Sequence, residues 1–167
     1  MALPSGLSFR PPTRDDLNWV IKSWTRSYAN SPWSGSMSRE RQVQAIRGTI
    51  LDLIQRGAEV SLVCLSARPD FILGFICFEQ TSDGSVVHYV YTRHGYRESG
   101  IGSALIESIA NNAKVRTSHR TPLGDHLFKG SQYNPRLSRY TAAGEEREHR
   151  EEHTDPSGAL AQRYGNR

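Results

Sequence analysis

Val86-Val-His-Tyr-Val-Tyr-Thr92 runs into Arg93-His-Gly-Tyr-Arg-Glu-Ser-Gly-Ile-Gly102 and then into Ser103-Ala-Leu-Ile-Glu-Ser-Ile-Ala110. The first stretch is rich in β-branched and aromatic residues, as a strand requires, and Ile101, Leu105, Ile106, Ile109 and Ala113 recur at helical spacing. Between strand and helix lies Arg97-x-x-Gly100-x-Gly102. Glycines at such a junction permit positive φ and close approach of a ligand, while the first helical turn offers unpaired N–H groups and the positive end of the helix dipole. The turn is therefore an anion site suited to a diphosphate, with Arg97 placed to add a charge-assisted bond. The stretch has neither the Gly-Lys-Ser/Thr of a P-loop nor a Gly-x-Gly-x-x-Gly followed by an acidic residue about twenty positions on.

Val90-Tyr91-Thr92 followed by Tyr96-Arg97-Glu98-Ser99-Gly100-Ile101-Gly102 resembles the acetyl-CoA-binding motif of the GNAT superfamily of N-acetyltransferases. The opening Phe9-Arg-Pro-Pro-Thr-Arg-Asp-Asp-Leu-Asn-Trp19, the Trp24 and Ser27-Tyr28 pair, and Ser118-His-Arg-Thr121 leading to Tyr133-Asn-Pro-x-Leu137 resemble small members of that family encoded by bacteriophages and prophages. The resemblance implies an α+β fold: a mixed, mostly antiparallel sheet with helices on both faces, splayed between its fourth and fifth strands to admit the pantetheine arm. It also implies acetyl-CoA as co-substrate and no metal. The backbone of Val90, Tyr91 and Thr92 would pair with the pantetheine amides, and Arg97, Glu98, Ser99, Gly100, Ile101, Gly102 and Ser103 would hold the diphosphate.

The rest of the chain fits that order. Leu7 to Arg10 reads as a first strand, and Thr13-Arg14-Asp15-Asp16 as an N-cap with carboxylates in the first helical turn. Leu17, Val20, Ile21, Trp24 and Tyr28 share one face of that helix. A breaker-rich loop, residues 30–36, carries Trp33; by resemblance this loop and Tyr28 overhang the acceptor groove. Ser38 opens a second helix that Gly57 stops. Val60 to Ser66 and Phe71 to Gln80 read as two strands of a hairpin before the central strand. After the central helix come a short polar strand, Lys114 to His119, and a helix from Thr121-Pro122 through Leu127 and Phe128 to Gly130.

With 167 residues and 37% hydrophobic content the chain holds one domain, and its mean hydropathy of −0.58 is low because of its end. We place a GNAT-like domain at residues 1–137 and a polar, charged, flexible tail at 138–167, too poor in large apolar residues to offset ordering entropy. Up to Leu137 there are 16 Lys and Arg against 11 Asp and Glu, and beyond it 5 against 6, so the folded part is the basic one. That balance suits an anionic co-substrate or an acidic partner. Cys64 and Cys77 fall in strands and read as buried, reduced thiols. With no secretory leader and no long apolar run, the expected location is cytoplasmic, that of the host cell if the chain is phage-encoded, with no membrane partner.

For the general base three residues compete: His119 at the end of the fifth strand, His88 on the central strand, and Glu79. Period-two alternation puts His88 on the same side as Val90 and Thr92. The family's usual acid is a tyrosine where Phe128 stands here, so Tyr133 is the candidate acid in its place. Expected acceptors are a primary amine on a modified DNA base, on a host protein, or on a small molecule; pairing as a homodimer is common in the family. The alternative is a catalytically degenerate module of the same fold that binds nucleic acid or a host protein.

Overall fold

The structure, a computed structural model, describes residues 3–29, 38–82, 84–110, 114–119, 121 and 124–138. The loop carrying Trp33 lies outside these residues, as does the polar tail beyond Ser138. The described elements are β1 (Leu7–Arg10), α1 (Arg14–Ala29), α2 (Arg39–Gln55), β2 (Glu59–Leu65), β3 (Arg68–Thr81), β4 (Gly84–Thr92), α3 (Ile101–Ala110), β5 (Lys114–Thr117) and β6 (Gln132–Tyr133). One sheet holds the six strands in chain order, antiparallel from β1 to β4 and parallel from β4 through β6.

Local chemistry explains the element ends. At the start of α1 the Thr13 N–H and hydroxyl donate to Asp16 Oδ2, both at 2.7 Å, which occupies one of the orphan donors of the first turn. Arg10 adds a forked ion pair to Asp16 at 2.6 and 3.0 Å and also donates to the Pro69 carbonyl, tying β1, α1 and the β2–β3 hairpin together. At the end of α2, Gly57 takes φ 102° and the Ala58 N–H reaches back to Leu53 O at 2.9 Å, the six-to-one closure that an αL glycine allows.

Helices cover both faces of the sheet. Val20, Trp24, Ile50 and Leu53 of α1 and α2 pack with Leu62, Cys64, Phe75, Cys77 and Tyr89 on one side. Ile101, Leu105 and Ile109 of α3 pack with Val63, Leu73, Ile76, Phe78 and Val87 on the other. α3 lies close to the sheet because Gly74 has no side chain: a Cβ there would stand 2.7 Å from Tyr91 O and 3.1 Å from Ile101 Cγ2. Both cysteines are free and buried, and burial pushes the Cys77 thiol up to about 12. Among the described residues no helix is long and apolar enough to cross a membrane.

Two features differ from the expectations. Residues 124–130 form successive turns in place of the expected helix. Their bonds run from Gly124 and Asp125 back to Thr121, and from Leu127 and Phe128 back to Gly124, with no continuing ladder among the described residues. A segment bracketed by Gly124 and Gly130 is too short and too glycine-rich to offset the cost of helix nucleation. The second difference is a bulge in β4. Cys77 faces Tyr89 and Phe78 faces Val87, so His88 is the extra residue.

Candidate active site

β4 and β5 stay paired only from Gly84↔Lys114 to Val87↔Thr117, with one further bond from Ser118 N–H to Val87 O at 3.0 Å. β5 ends at Thr117, so beyond Val87 the pairing stops, and the edge of β4 that carries Val90, Tyr91 and Thr92 has no strand beside it among the described residues, which leaves a gap there. Gly84 sets the close end of the pairing, since a Cβ on it would collide with the Lys114 carbonyl.

β4 leads through a 3₁₀ turn, His94–Tyr96, to Arg97 in extended conformation. Glu98 then takes φ 64° and Gly100 φ 84°. A positive φ on glutamate costs of order 1–3 kcal/mol and persists only where the surroundings impose it. The Ser99 hydroxyl donates to Tyr96 O at 2.6 Å and so buttresses the turn. Gly100 O accepts the first α3 bond, from Ala104 N–H at 2.9 Å. Among the described residues the N–H groups of Glu98, Ser99, Gly100, Ile101, Gly102 and Ser103 donate to no backbone carbonyl. Gly102 sits between Thr92 and Leu127, and a Cβ on it would stand 3.0 Å from Leu127 Cδ1. Six uncommitted donors around a helix N-terminus, on a backbone bared by glycine, make a cradle that fits a diphosphate. Arg97 is exposed at its rim, while Ile101 is buried and anchors α3.

On the opposite face a chain of side chains comes together from four places in the sequence. Arg56 follows α2 and donates through Nε to Glu79 Oε1 at 2.8 Å and through an Nη to Leu137 O at 2.6 Å. His88 Nε2 lies 3.4 Å from the same Glu79 oxygen. The contact falls short of a hydrogen bond, and the fully buried His88 Nε2 has no hydrogen-bond partner among the described residues, so it meets the Glu79 oxygen as a charge neighbour. His88 Nδ1 meets Ser118 Oγ at 2.8 Å, and Ser118 Oγ meets His119 Nδ1 at 3.0 Å. The His119 ring stands edge-on to Tyr28 at 5.3 Å and to Trp24 at 6.1 Å.

The bulge makes this chain possible. Val87 and Val90 pack on the α3 face, whereas Tyr89 and Tyr91 pack on the α1–α2 face. His88 turns toward Glu79 and Arg56, away from the Val90 side to which plain alternation assigns it. Burial lowers the His88 pKa, the Glu79 carboxylate opposes the drop, and the net shift is downward. For Glu79 burial alone would raise the pKa, but the facing His88 and the hydrogen-bonded Arg56 guanidinium outweigh it and hold the group ionised. Burial and the neighbouring His88 bring His119 down to about 4, against a small opposing effect of the His88 carbonyl, so its ring is neutral at neutral pH.

Tyr28 is half-buried, and its pKa is raised by burial and by its electrostatic coupling to Tyr133. Tyr133 is exposed on β6, beside Thr117 of β5. The structure thus brings Tyr28, His119 and Tyr133 to one end of the sheet. Phe128, by contrast, packs against the α3-face cluster. From sequence, Ser118 figures only in the family resemblance and Arg56 not at all, and neither is given a role in the site. A carboxylate, Glu79, directly after the apolar run Phe71–Phe78 of β3 was the available signal that a buried partner set existed.

No family model matches the sequence, and no curated protein matches it. Solved structures do. A predicted acetyltransferase with acetyl-CoA from Clostridium acetobutylicum superposes with a TM-score of 0.53 at 13% identity, over 81% of this chain and 99% of that one. A GCN5-related N-acetyltransferase from Ralstonia eutropha JMP134 gives 0.52 at 18% identity, over 74% and 90%. A ribosomal-protein-alanine N-acetyltransferase from Brucella melitensis biovar Abortus 2308 gives 0.51 at 18% identity, over 75% and 90%. At these identities the likeness is one of backbone architecture. The chain, a six-stranded mixed sheet with helices on both faces, has the fold of these GNAT acetyltransferases.

Proposed function

We propose that the protein is an acetyl-CoA-dependent N-acyltransferase that moves an acetyl group to a primary amine by direct attack. The observation that carries this reading is the row of uncommitted N–H groups from Glu98 to Ser103 at the start of α3, beside the gap left where the β4–β5 pairing stops. A solved neighbour of the same fold contains acetyl-CoA, which supports the choice of anion.

Acetyl-CoA supplies an activated acyl carbonyl. The N–H groups from Glu98 to Ser103 would bind its diphosphate, Arg97 would add charge at the rim, and the unpartnered edge of Val90 to Thr92 would orient the pantetheine. Gly102, lacking a Cβ, lets the first turn of α3 lie close against Leu127. On the acceptor side Tyr28 and Trp33 would shape the amine site, and His119, backed by His88, would take the proton lost by the attacking nitrogen. Tyr133 would return a proton to the leaving thiolate, since Phe128 cannot.

The acceptor is an amine on a modified DNA base, on a protein, or on a small molecule, the action is in the cytoplasm of the cell or phage host, and the protein acts as a monomer or homodimer. The test is release of free thiol from acetyl-CoA in the presence of each amine class, followed by mass spectrometry for a single acetyl increment. Phe128 in the α3 cluster favours a second reading, a degenerate module of this fold that binds nucleic acid or a host protein. No thiol release with any acceptor, together with salt-sensitive DNA binding, would establish it.

A further inference from the structure

We infer that Glu79, His88, Ser118 and His119 form one proton relay, in which His119 Nε2 receives the proton and His88 holds it against the Glu79 carboxylate. The inference rests on the amine-acylation reading for its substrate, and on side-chain geometry alone for its existence.

The polarity of the chain is set from its buried end. Glu79 is held as a carboxylate by the Arg56 guanidinium at 2.8 Å and can only accept. The facing His88 Nε2 must therefore carry a hydrogen, because a bare nitrogen would set a lone pair against a carboxylate oxygen 3.4 Å away. A neutral His88 then has a bare Nδ1, which accepts from the Ser118 hydroxyl at 2.8 Å. With its hydrogen spent, Ser118 Oγ can only accept from His119 Nδ1–H at 3.0 Å. The His88 carbonyl also accepts from the His119 ring, and the relay requires that the same Nδ1–H serve it and Ser118, which leaves Nε2 as the basic nitrogen of His119. A serine hydroxyl is the smallest group able to accept from one ring and donate to the other, and at 3% exposure it has no water to do so in its place.

The transfer balances. The N–H bond of the attacking ammonium or amine breaks and an Nε2–H bond forms on His119. The Nδ1–H of His119 passes to Ser118 Oγ, and the hydroxyl hydrogen of Ser118 passes to His88 Nδ1. His119 ends neutral, Ser118 is regenerated, and the added charge rests on His88 as an imidazolium facing Glu79. The benefit is placement of charge. His119 is packed against the rings of Trp24 and Tyr28, where a cation is poorly solvated, whereas His88 has a carboxylate beside it. The groups facing His88 are Glu79 from β3, with Arg56 behind it, and His119 through Ser118; those facing His119 are Tyr28 from α1, the ring and main-chain carbonyl of His88 from β4 and, through Tyr28, Tyr133 from β6.

The experiment is a ¹⁵N spectrum of the histidine rings in the free, full-length protein. It needs no turnover, so it separates this inference from the acyltransferase reading. The expected result is His88 protonated at Nε2 and His119 protonated at Nδ1. A resting His119 protonated at Nε2 overturns the relay. Ser118→Ala should scramble both tautomers, lower kcat/KM by roughly 10-fold or more and shift its acid limb, with CoA affinity unchanged. Ser118→Thr, which keeps the hydroxyl, should restore all three. Unaltered tautomers, or an unaltered pH profile, in a folded Ser118→Ala protein overturn the relay. If Ser118→Ala does not fold, the wild-type spectrum decides. If the wild type binds no CoA, the acyltransferase reading fails while the tautomer assignment stands or falls on its own.

Discussion

The two halves of the candidate site are built by different means. The cradle at Glu98 to Ser103 is one continuous stretch of backbone, whose donors exist because a helix has to start somewhere and whose conformation follows from Gly100 and a strained Glu98. The relay is made of side chains from α2's end, β3, β4 and the end of β5, and it exists only after the sheet has formed and β4 has bulged. A ligand common to many proteins is met by backbone, which changes little with sequence. The acceptor chemistry, which distinguishes one protein from another, is met by side chains drawn from distant parts of the chain.

The comparison breaks most sharply at Gly102. In Gly102→Asp the new Cβ presses on Leu127 and a carboxylate opposes the diphosphate, so calorimetry should show CoA affinity falling about 100-fold or more. The melting temperature and the histidine tautomers should stay near wild type. His119→Ala should do the reverse, lowering kcat by about 100-fold with CoA affinity intact, because it removes the proton acceptor and touches none of the N–H donors. Loss of CoA binding in His119→Ala would merge the two halves into one.

A third contrast is in stability against pH. His119 titrates at about 4 in the folded protein and near 6.5 when unfolded. The unfolded chain therefore binds more protons between those values, and folding loses stability as pH falls through that window. The His119 share between pH 7 and pH 5 is about 2 kcal/mol, and His88 adds in the same direction. Urea denaturation at the two pH values should show the loss, and His119→Phe should shrink it. The smallest effect belongs to a place remote from both halves. Asp16→Ala removes the capping contacts to Thr13 and the Arg10 pair and should cost about 1–2 kcal/mol, read as a lower denaturation midpoint with CoA affinity unchanged.

The same contrast explains what could be read from the sequence. The element order from β1 through α3, the α1 capping residues, the Gly57 stop and the buried faces of α1 and α2 all follow from local spacing, and the structure has them. Gly100 and Gly102 marked the start of α3 because a glycine-bearing strand-to-helix turn is a local signature. The relay was visible only as separate candidates, His88, His119 and Glu79. Nothing in a one-dimensional pattern announces a bulge at His88, opposite Cys77 and Phe78, and without it His88 is assigned to the wrong face. Ser118 entered only as part of the resemblance and was given no role, because a single serine in a polar stretch carries no chemical signal until it is found between two imidazoles. The turns at 124–130 were read as a helix because Leu127 and Phe128 supply apolar spacing; the two flanking glycines proved stronger.

The central claim is that the amides from Glu98 to Ser103 grip a diphosphate. Its most direct test is a ¹H–¹⁵N titration of the protein with CoA, following the backbone amides of Ser99, Gly100, Ile101 and Gly102. The account predicts large, saturable downfield shifts concentrated on these residues, with smaller ones along Val90 to Thr92. Amides that stay in place while CoA is raised to millimolar levels, or shifts scattered over the basic surface, would contradict it.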